Sequence, residues 1–333
     1  MKPFLILNLL FSIALTSTAF RTVACDKTRN VIYHHSNKDK TVTASKNMVD
    51  KLVKINNFNN ISISSIINVV YTQQSGNPTV RIKAPDNVIE YITTEVKDKT
   101  LTLRIKDINI NANKDNIITC YVSSDNLNHI DIAGAGEFRC NNLNAGNLKT
   151  TVAGSGEVHI DRLRCEELKA MISGSGEINI GSIDSNTVST DIAGSGELEI
   201  KSLNTSTVIA QVTGSGELKI TNANVTNVST TVTGSGELKI ENLTATKVSA
   251  QITGSGELSL KGHTDSANLN VSGSGEISAR HLSADNVIAN AAGAGDIKCY
   301  AKKTITASAS ANSSVTYWGS PSSVNAGKNV KSR

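Results

Sequence analysis

The sequence predicts an all-β chain: a right-handed parallel β-helix, or β-solenoid, with about 20 residues per coil. Three observations carry this. First, the motif Gly-x-Gly-Glu/Asp recurs nine times, opening at Gly134, Gly154, Gly174, Gly194, Gly214, Gly234, Gly254, Gly273 and Gly293, with steps of 20 residues and one step of 19. A fixed period of this length marks a repeat whose coils bury their apolar faces only against neighbouring coils. Second, residues on both sides of each glycine pair alternate apolar and polar, as in Val228, Thr230, Val232 and then Leu238, Ile240. Period-2 alternation about a glycine corner means two short strands joined by a bend, and no 3.6 period competes with it. Third, stacking the repeats yields continuous columns. Two residues before the first glycine stand Ile132, Val152, Ile172 through Ala291, and four before it a small Thr/Ala column. Four and six residues after it stand Phe138 through Ile297 and Cys140 through Cys299. These are the inward ladders of a narrow core, small residues facing large ones across it. Equivalent strands run parallel and lie about 4.8 Å apart, so nine coils make a rod of roughly 40 Å, with right-handed crossovers.

The remaining segments follow in chain order. Residues 1–24 read as a secretory signal: Lys2, then an apolar stretch from Phe4 to Leu15, then small residues. That stretch is short for a transmembrane helix, and no other segment could span a membrane. Cys25 follows Thr22-Val23-Ala24 and is a candidate lipid-attachment site, with Thr22 where a bacterial lipoprotein usually has Leu. Residues 25–50 read as a polar linker. Residues 51–130 are rich in strands outside the 20-residue register and form an N-terminal cap, needed because an open coil end invites strand addition. Within it, residues 86–92 suggest a short helix capped by Asp86. Residues 131–300 are the nine-coil array. Residues 301–333 close it, with Val315, Tyr317 and Trp318 bulky enough to cover the last coil.

Composition narrows the function. Aromatics are 4% of the chain, which suits a thin solenoid. Residues 131–300 hold 12 Lys/Arg against 19 Asp/Glu, a net of −7, whereas residues 301–333 hold 5 Lys/Arg and no acid. An acidic rod with basic ends, lacking a basic stripe interleaved with aromatics, excludes a nucleic-acid partner. Cys140 and Cys299 sit in inward columns at opposite ends of the rod, too far apart to bridge, and read as small buried hydrophobes. Cys120 and Cys140 would lie close if their coils are adjacent.

The most distinctive polar feature is the column Glu137, Glu157, Glu177, Glu197, Glu217, Glu237, Glu257, Glu276 and Asp296. It is read as a structural edge whose carboxylates accept backbone N–H bonds at the glycine corners, with weak binding as the functional alternative. Like charges about 5 Å apart in water repel by only roughly 0.8 kcal/mol, which hydrogen bonds offset. Two residues on, Arg139, His159, Lys219, Lys239 and Lys298, though also Glu199, partly neutralise it. A calcium-binding repeat would need a nine-residue period. The six histidines show no metal spacing, His34-His35 lying in the linker. The serine of Gly-Ser-Gly recurs without a histidine partner and is no nucleophile elbow. The charged run Asp161, Arg162, Arg164, Glu166, Glu167 reads as a solvated turn. No catalytic residue, metal or cofactor is expected.

Several segments together resemble a bacterial family, the autotransporter-type adhesins with a head GIN domain. Lys54-Ile55-x-x-Phe58-x-x-Ile61 looks like its opening strand. Ile82-x-Ala84-x-Asp86-Asn87 and Tyr91-Ile92-x-Thr94-x-Val96-Lys97-Asp98-x-Thr100-Leu101 follow its next segments. The Gly-Ser-Gly-Glu runs match its repeated corners, and Val315-x-Tyr317-x-Gly319-x-Pro321 matches its closing motif. The resemblance covers roughly residues 50–333. Ser65-Ile66-Ile67-Asn68 stands where the family often has a first Gly-x-Gly-Asp corner, and the array here is unusually long and uniform. The resemblance implies a fold similar to the β-helices of pectin-lyase type, no catalytic set, and adhesion at the cell surface. The expected function is thus a non-enzymatic envelope or surface protein, exported to the periplasm, the outer surface or the medium. It would present a rigid scaffold to a surface glycan or protein, with lipid anchoring and homo-oligomers both compatible. The alternative is a polysaccharide-binding or polysaccharide-processing β-helix of the exported compartment.

Overall fold

The computed structural model describes residues 31–32, 40–106, 108–112 and 116–333. The signal reading for residues 1–24, Cys25 and His34-His35 lie outside them. The chain is a parallel β-solenoid with about 20 residues per coil. Each coil lies in register on the one before: Glu217 pairs with Glu197 and Glu237, and Gly234 with Gly214 and Gly254. All four columns expected to face inward do so. Ile132, Thr190, Leu218 and Ile240, one from each, are at most 1% exposed.

The coil has more sides than the two strands and single bend expected. In Glu217–Gly234 the alternation breaks twice, at Thr221-Asn222 and again at Thr226-Asn227. Two successive outward residues invert the phase of a strand, so each pair is a corner. With the Ser235-Gly236 turn this makes three corners and three faces. Three further inward columns result, through Leu203, Ala223 and Leu243, through Thr205, Val225 and Ala245, and through Val208, Val228 and Val248. The single 19-residue step is absorbed at the first of these corners. One residue, Lys261, separates Leu260 from Gly262, whereas two separate Ile240 from Leu243. The shortened turn presses position 262 against its neighbour: a Cβ there would stand 2.0 Å from the Leu243 carbonyl oxygen. Glycine therefore replaces the leucine usual in that column.

At the N-terminal end, stacking order departs from chain order. Asn60–Ser64 and Asn68–Gln73 form a coil directly beneath His129–Gly134 and Glu137–Asn144. Thr100–Ile105 and Thr119–Ser124 form the coil beyond it. The earlier segment is thus inserted between the later one and the array. Tyr71 stacks on Phe138 at 5.8 Å across this junction. Antiparallel strands cover the outermost coil: Ile92–Lys97 on one face, Thr79–Pro85 and then Met48–Val53 on another. Within the polar stretch, Val31–Ile32 and Thr41–Thr43 both pair with Asn109–Ala112.

Three local expectations are corrected. The short helix is a single 3-10 turn, Ile89–Tyr91, without a side-chain cap. Asp86 instead accepts hydrogen bonds from Ser45 Oγ at 2.5 Å and Asn47 Nδ2 at 2.8 Å, which hold its carboxyl below the usual range. Cys120 and Cys140 are not on adjacent coils, because Val69 and Tyr71 of the inserted coil lie between them. At the C-terminal end Val315 and Tyr317 continue the inward columns, but Trp318 turns outward and packs under the Arg280 guanidinium, 4.5 Å from the ring centre.

Candidate functional site

Each Gly-x-Gly corner uses its own amides to hold the next coil. Ser215 N donates to the Gly194 carbonyl at 2.9 Å, and Glu217 N to the Gly196 carbonyl at 3.0 Å; the pattern repeats from coil to coil. These backbone groups are satisfied by backbone, so the bonds from corner amides to carboxylates that the sequence suggested are not what orients the acids. The acids lie in one uninterrupted ladder from Glu137 to Asp296. Their partners are side chains. Arg139 pairs with Glu137, and Asn179 donates to Glu177. Lys239 lies 2.5 Å from Glu237 and 3.9 Å from Glu217, and Lys298 lies 2.7 Å from Glu276. The neighbouring outward column does the neutralising, as its composition suggested.

Uncharged donors end the ladder at both extremities. Asn68 Nδ2 donates to Glu137 Oε2 at 3.0 Å, and Ser314 Oγ to Asp296 Oδ1 at 2.6 Å. Sequence reasoning missed both. Their signal was positional: Asn68 and Ser314 occupy the acid's place on coils that lack the glycines.

Mid-ladder electrostatics are less favourable. Desolvation, and then the carboxylates of Glu177, Glu217 and Glu199, push the Glu197 carboxyl up, against the opposing pull of Lys219. An acid with a higher pKa in the folded than in the unfolded chain costs stability when ionised. That cost is absent below the unfolded-chain pKa, grows as pH rises toward the folded-chain pKa, and is complete above it. We therefore expect Glu197→Gln to raise the melting temperature at neutral pH, with the gain disappearing as pH falls through the carboxylate range. Melting curves of both proteins between pH 3 and pH 8 check this; a variant less stable at neutral pH contradicts it.

The longest face carries a different surface. Its outward residues from Thr207 to Ser308 are Thr, Ser, Asn, Gln, Ile and one Ala, with Lys247 the charged member. A shallow groove of about 390 Å³ runs along it. Ser229, Ser249 and Asn268 line its floor side by side, and Ile288 stands at one end. Ile209 occupies the same column one coil before Ser229 and is 40% exposed. Asn290 Nδ2 donates to Asn270 Oδ1 at 3.1 Å, one rung of an amide ladder on this face.

Other candidate chemistry stays separate. Cys120, Cys140, Cys165 and Cys299 are buried free thiols, and burial pushes them up to about 12, 11, 11 and 12. Such thiols are poor nucleophiles. The run from Asp161 to Glu167 is surface-facing apart from Leu163 and Cys165; its Arg164 pairs with Asp184 of the next coil at 3.4 Å. Among the described residues no helix is long and apolar enough to cross a membrane.

The family model described as "Putative auto-transporter adhesin, head GIN domain" matches residues 57–226 and 220–321. Solved structures resemble the chain at low identity. A "putative adhesin from Parabacteroides distasonis ATCC 8503" is 16% identical, with a TM-score of 0.50, covering 88% of this chain and 100% of that one. A "putative adhesin from Parabacteroides merdae ATCC 43184" is 17% identical, with a TM-score of 0.49, covering 88% and 99%. A "putative adhesin (BF0245) from Bacteroides fragilis NCTC 9343" is 23% identical, with a TM-score of 0.35, covering 88% and 100%. No curated protein matches.

Proposed function

Because the chain belongs to the auto-transporter adhesin, head GIN domain family, we propose that it is a non-enzymatic, exported adhesin-type protein whose solenoid is a rigid binding scaffold. The observation that carries this reading is the in-register repetition of outward side chains over successive coils. A parallel solenoid fixes neighbouring side chains of one column about 4.8 Å apart. Such an array offers many weak, identical contacts, and multivalency converts these into avidity toward a repetitive surface. The long face, on which Lys247 is the charged residue from Thr207 to Ser308, suits this best, since burying hydroxyls and amides against a polar partner limits the cost of desolvating charges.

The groove on the same face supports a second reading, binding of a linear polysaccharide. It runs along the rod and is lined by Ser229, Ser249, Asn268 and Asn286, which can donate to and accept from sugar hydroxyls. Screening the purified chain against a glycan array and a panel of host matrix proteins separates the two. Binding of an extended neutral glycan, lost in Ser249→Arg, favours the polysaccharide reading. Binding of a matrix protein or a surface of cells favours adhesion. Turnover of a glycan would contradict the non-enzymatic reading.

A further inference from the structure

We propose that Glu137, Glu157 and His159 form a binding site for one divalent transition-metal ion of the zinc type. The site belongs to a single place on the rod. Strand pairing sets Glu157 beside Glu137, and His159 beside Arg139, on adjacent coils. His159 Nε2 then lies 3.3 Å from Glu157 Oε2 and 3.7 Å from Glu137 Oε1, and one ligand atom from each residue lies within 4.8 Å of the others. Two atoms each about 2.1 Å from a tetrahedral zinc stand about 3.4 Å apart. The imidazole's separations from both carboxylates already approach that edge length. Glu157 is half exposed and free to close the remainder.

Glu137 is the preset ligand. Its side chain is 16% exposed, and its Oε1 atom is shut off from solvent against the Arg139 guanidinium. Asn68 holds the other oxygen at 3.0 Å, leaving Oε1 on the side of the outward column, against Arg139 and 3.7 Å from the His159 imidazole. An outer hydrogen bond that orients a ligating carboxylate is a regular feature of metal sites. The Arg139 guanidinium is the present counter-ion of Oε1 and is more than half exposed, so it can leave for solvent when a cation arrives. One imidazole and two carboxylates select zinc-type ions over calcium, which takes six to eight oxygens. Elsewhere in the outward column stand Asn179, Glu199, Lys219, Lys239, Ser259, Ser278 and Lys298, none of which completes such a set. The site therefore binds one ion per chain and is independent of the adhesive role.

The test is calorimetric titration of the full chain with zinc chloride, together with the visible absorption of bound cobalt. We expect one site per chain and an intense tetrahedral cobalt spectrum. His159→Asn should weaken zinc binding more than about tenfold. This variant places beside Glu157 the same residue that the next coil places beside Glu177, so its melting curve should match the parent's. Arg139→Ala should tighten binding, and calcium should not compete. Glu157→Gln, at a half-exposed position, provides a second variant should His159→Asn fold poorly. An isotherm unchanged by His159→Asn or by Glu157→Gln overturns the proposal, including the case where zinc binds only at His34-His35.

Discussion

Ile200→Asp should abolish the cooperative unfolding of the central coils, while Ile209→Asp, nine residues further along the same coil, should leave it nearly intact. Ile200 is 0% exposed in the inward column between Ile180 and Ile220. A carboxylate there loses the transfer energy of the isoleucine and has no counter-charge, a cost of about 4–5 kcal/mol or more. A solenoid cannot spread that loss, because each coil touches only its neighbours. Ile209 is 40% exposed on the long outer face, and a charge there stays in water. Thermal melts by circular dichroism, with limited proteolysis to locate the opening, check the pair. Equal melting temperatures for Ile200→Asp and the parent would refute the inward direction of that column.

Replacing either glycine of one corner with alanine should destabilise nearly as much, and replacing the serine between them should not. Gly214 has φ +113, a region that side chains rarely adopt, and a Cβ on it would stand 2.7 Å from the Gly194 carbonyl oxygen. A Cβ on Gly216 would stand 2.6 Å from Ile192 Cγ2 and 2.7 Å from the Gly196 carbonyl oxygen. The obstructing oxygens accept the inter-coil hydrogen bonds, so they cannot retreat without breaking the ladder. Backbone strain of about 1–3 kcal/mol adds to the steric displacement at Gly214. Ser215 is exposed, and Ser215→Ala should change stability by less than about 0.5 kcal/mol. Denaturant titration of the three variants gives the comparison. A Gly216→Ala variant as stable as Ser215→Ala would show that the coils part more easily than their hydrogen bonding implies.

The corner without glycines shows how far this constraint extends. Ser65 and Ile67 lie beneath Gly134 and Gly136, and Ile67 offers its carbonyl to Glu137 N at 3.2 Å as the glycines do elsewhere. Ser65 does not take positive φ. Its coil, itself the inserted one, meets the coil of Thr100–Ile105 and Thr119–Ser124 on its other side, where Asn68 N donates to the Ile118 carbonyl. The glycine pair is thus a requirement of coils stacked on identical corners.

By itself the sequence determined the repeat, the inward columns, the parallel register and the place of the acid ladder. Each is a consequence of local periodicity: a side chain's phase within 20 residues decides whether it meets water or the core, and equal periods force equal residues to stack. Only the tertiary structure decided the rest. The second and third corners of each coil are invisible in the hydrophobic pattern until burial shows where two outward residues adjoin, at 221–222 and 226–227. The insertion of Asn60–Gln73 between two later segments depends on strand pairings 40 to 69 residues apart in sequence, which no local pattern encodes. The grouping of Glu137, Glu157 and His159 was hidden for the same reason. Metal-ligand spacing along a chain is read within a few residues, whereas the solenoid makes residues 20 apart into neighbours, so the ladder rather than the chain sets which side chains meet.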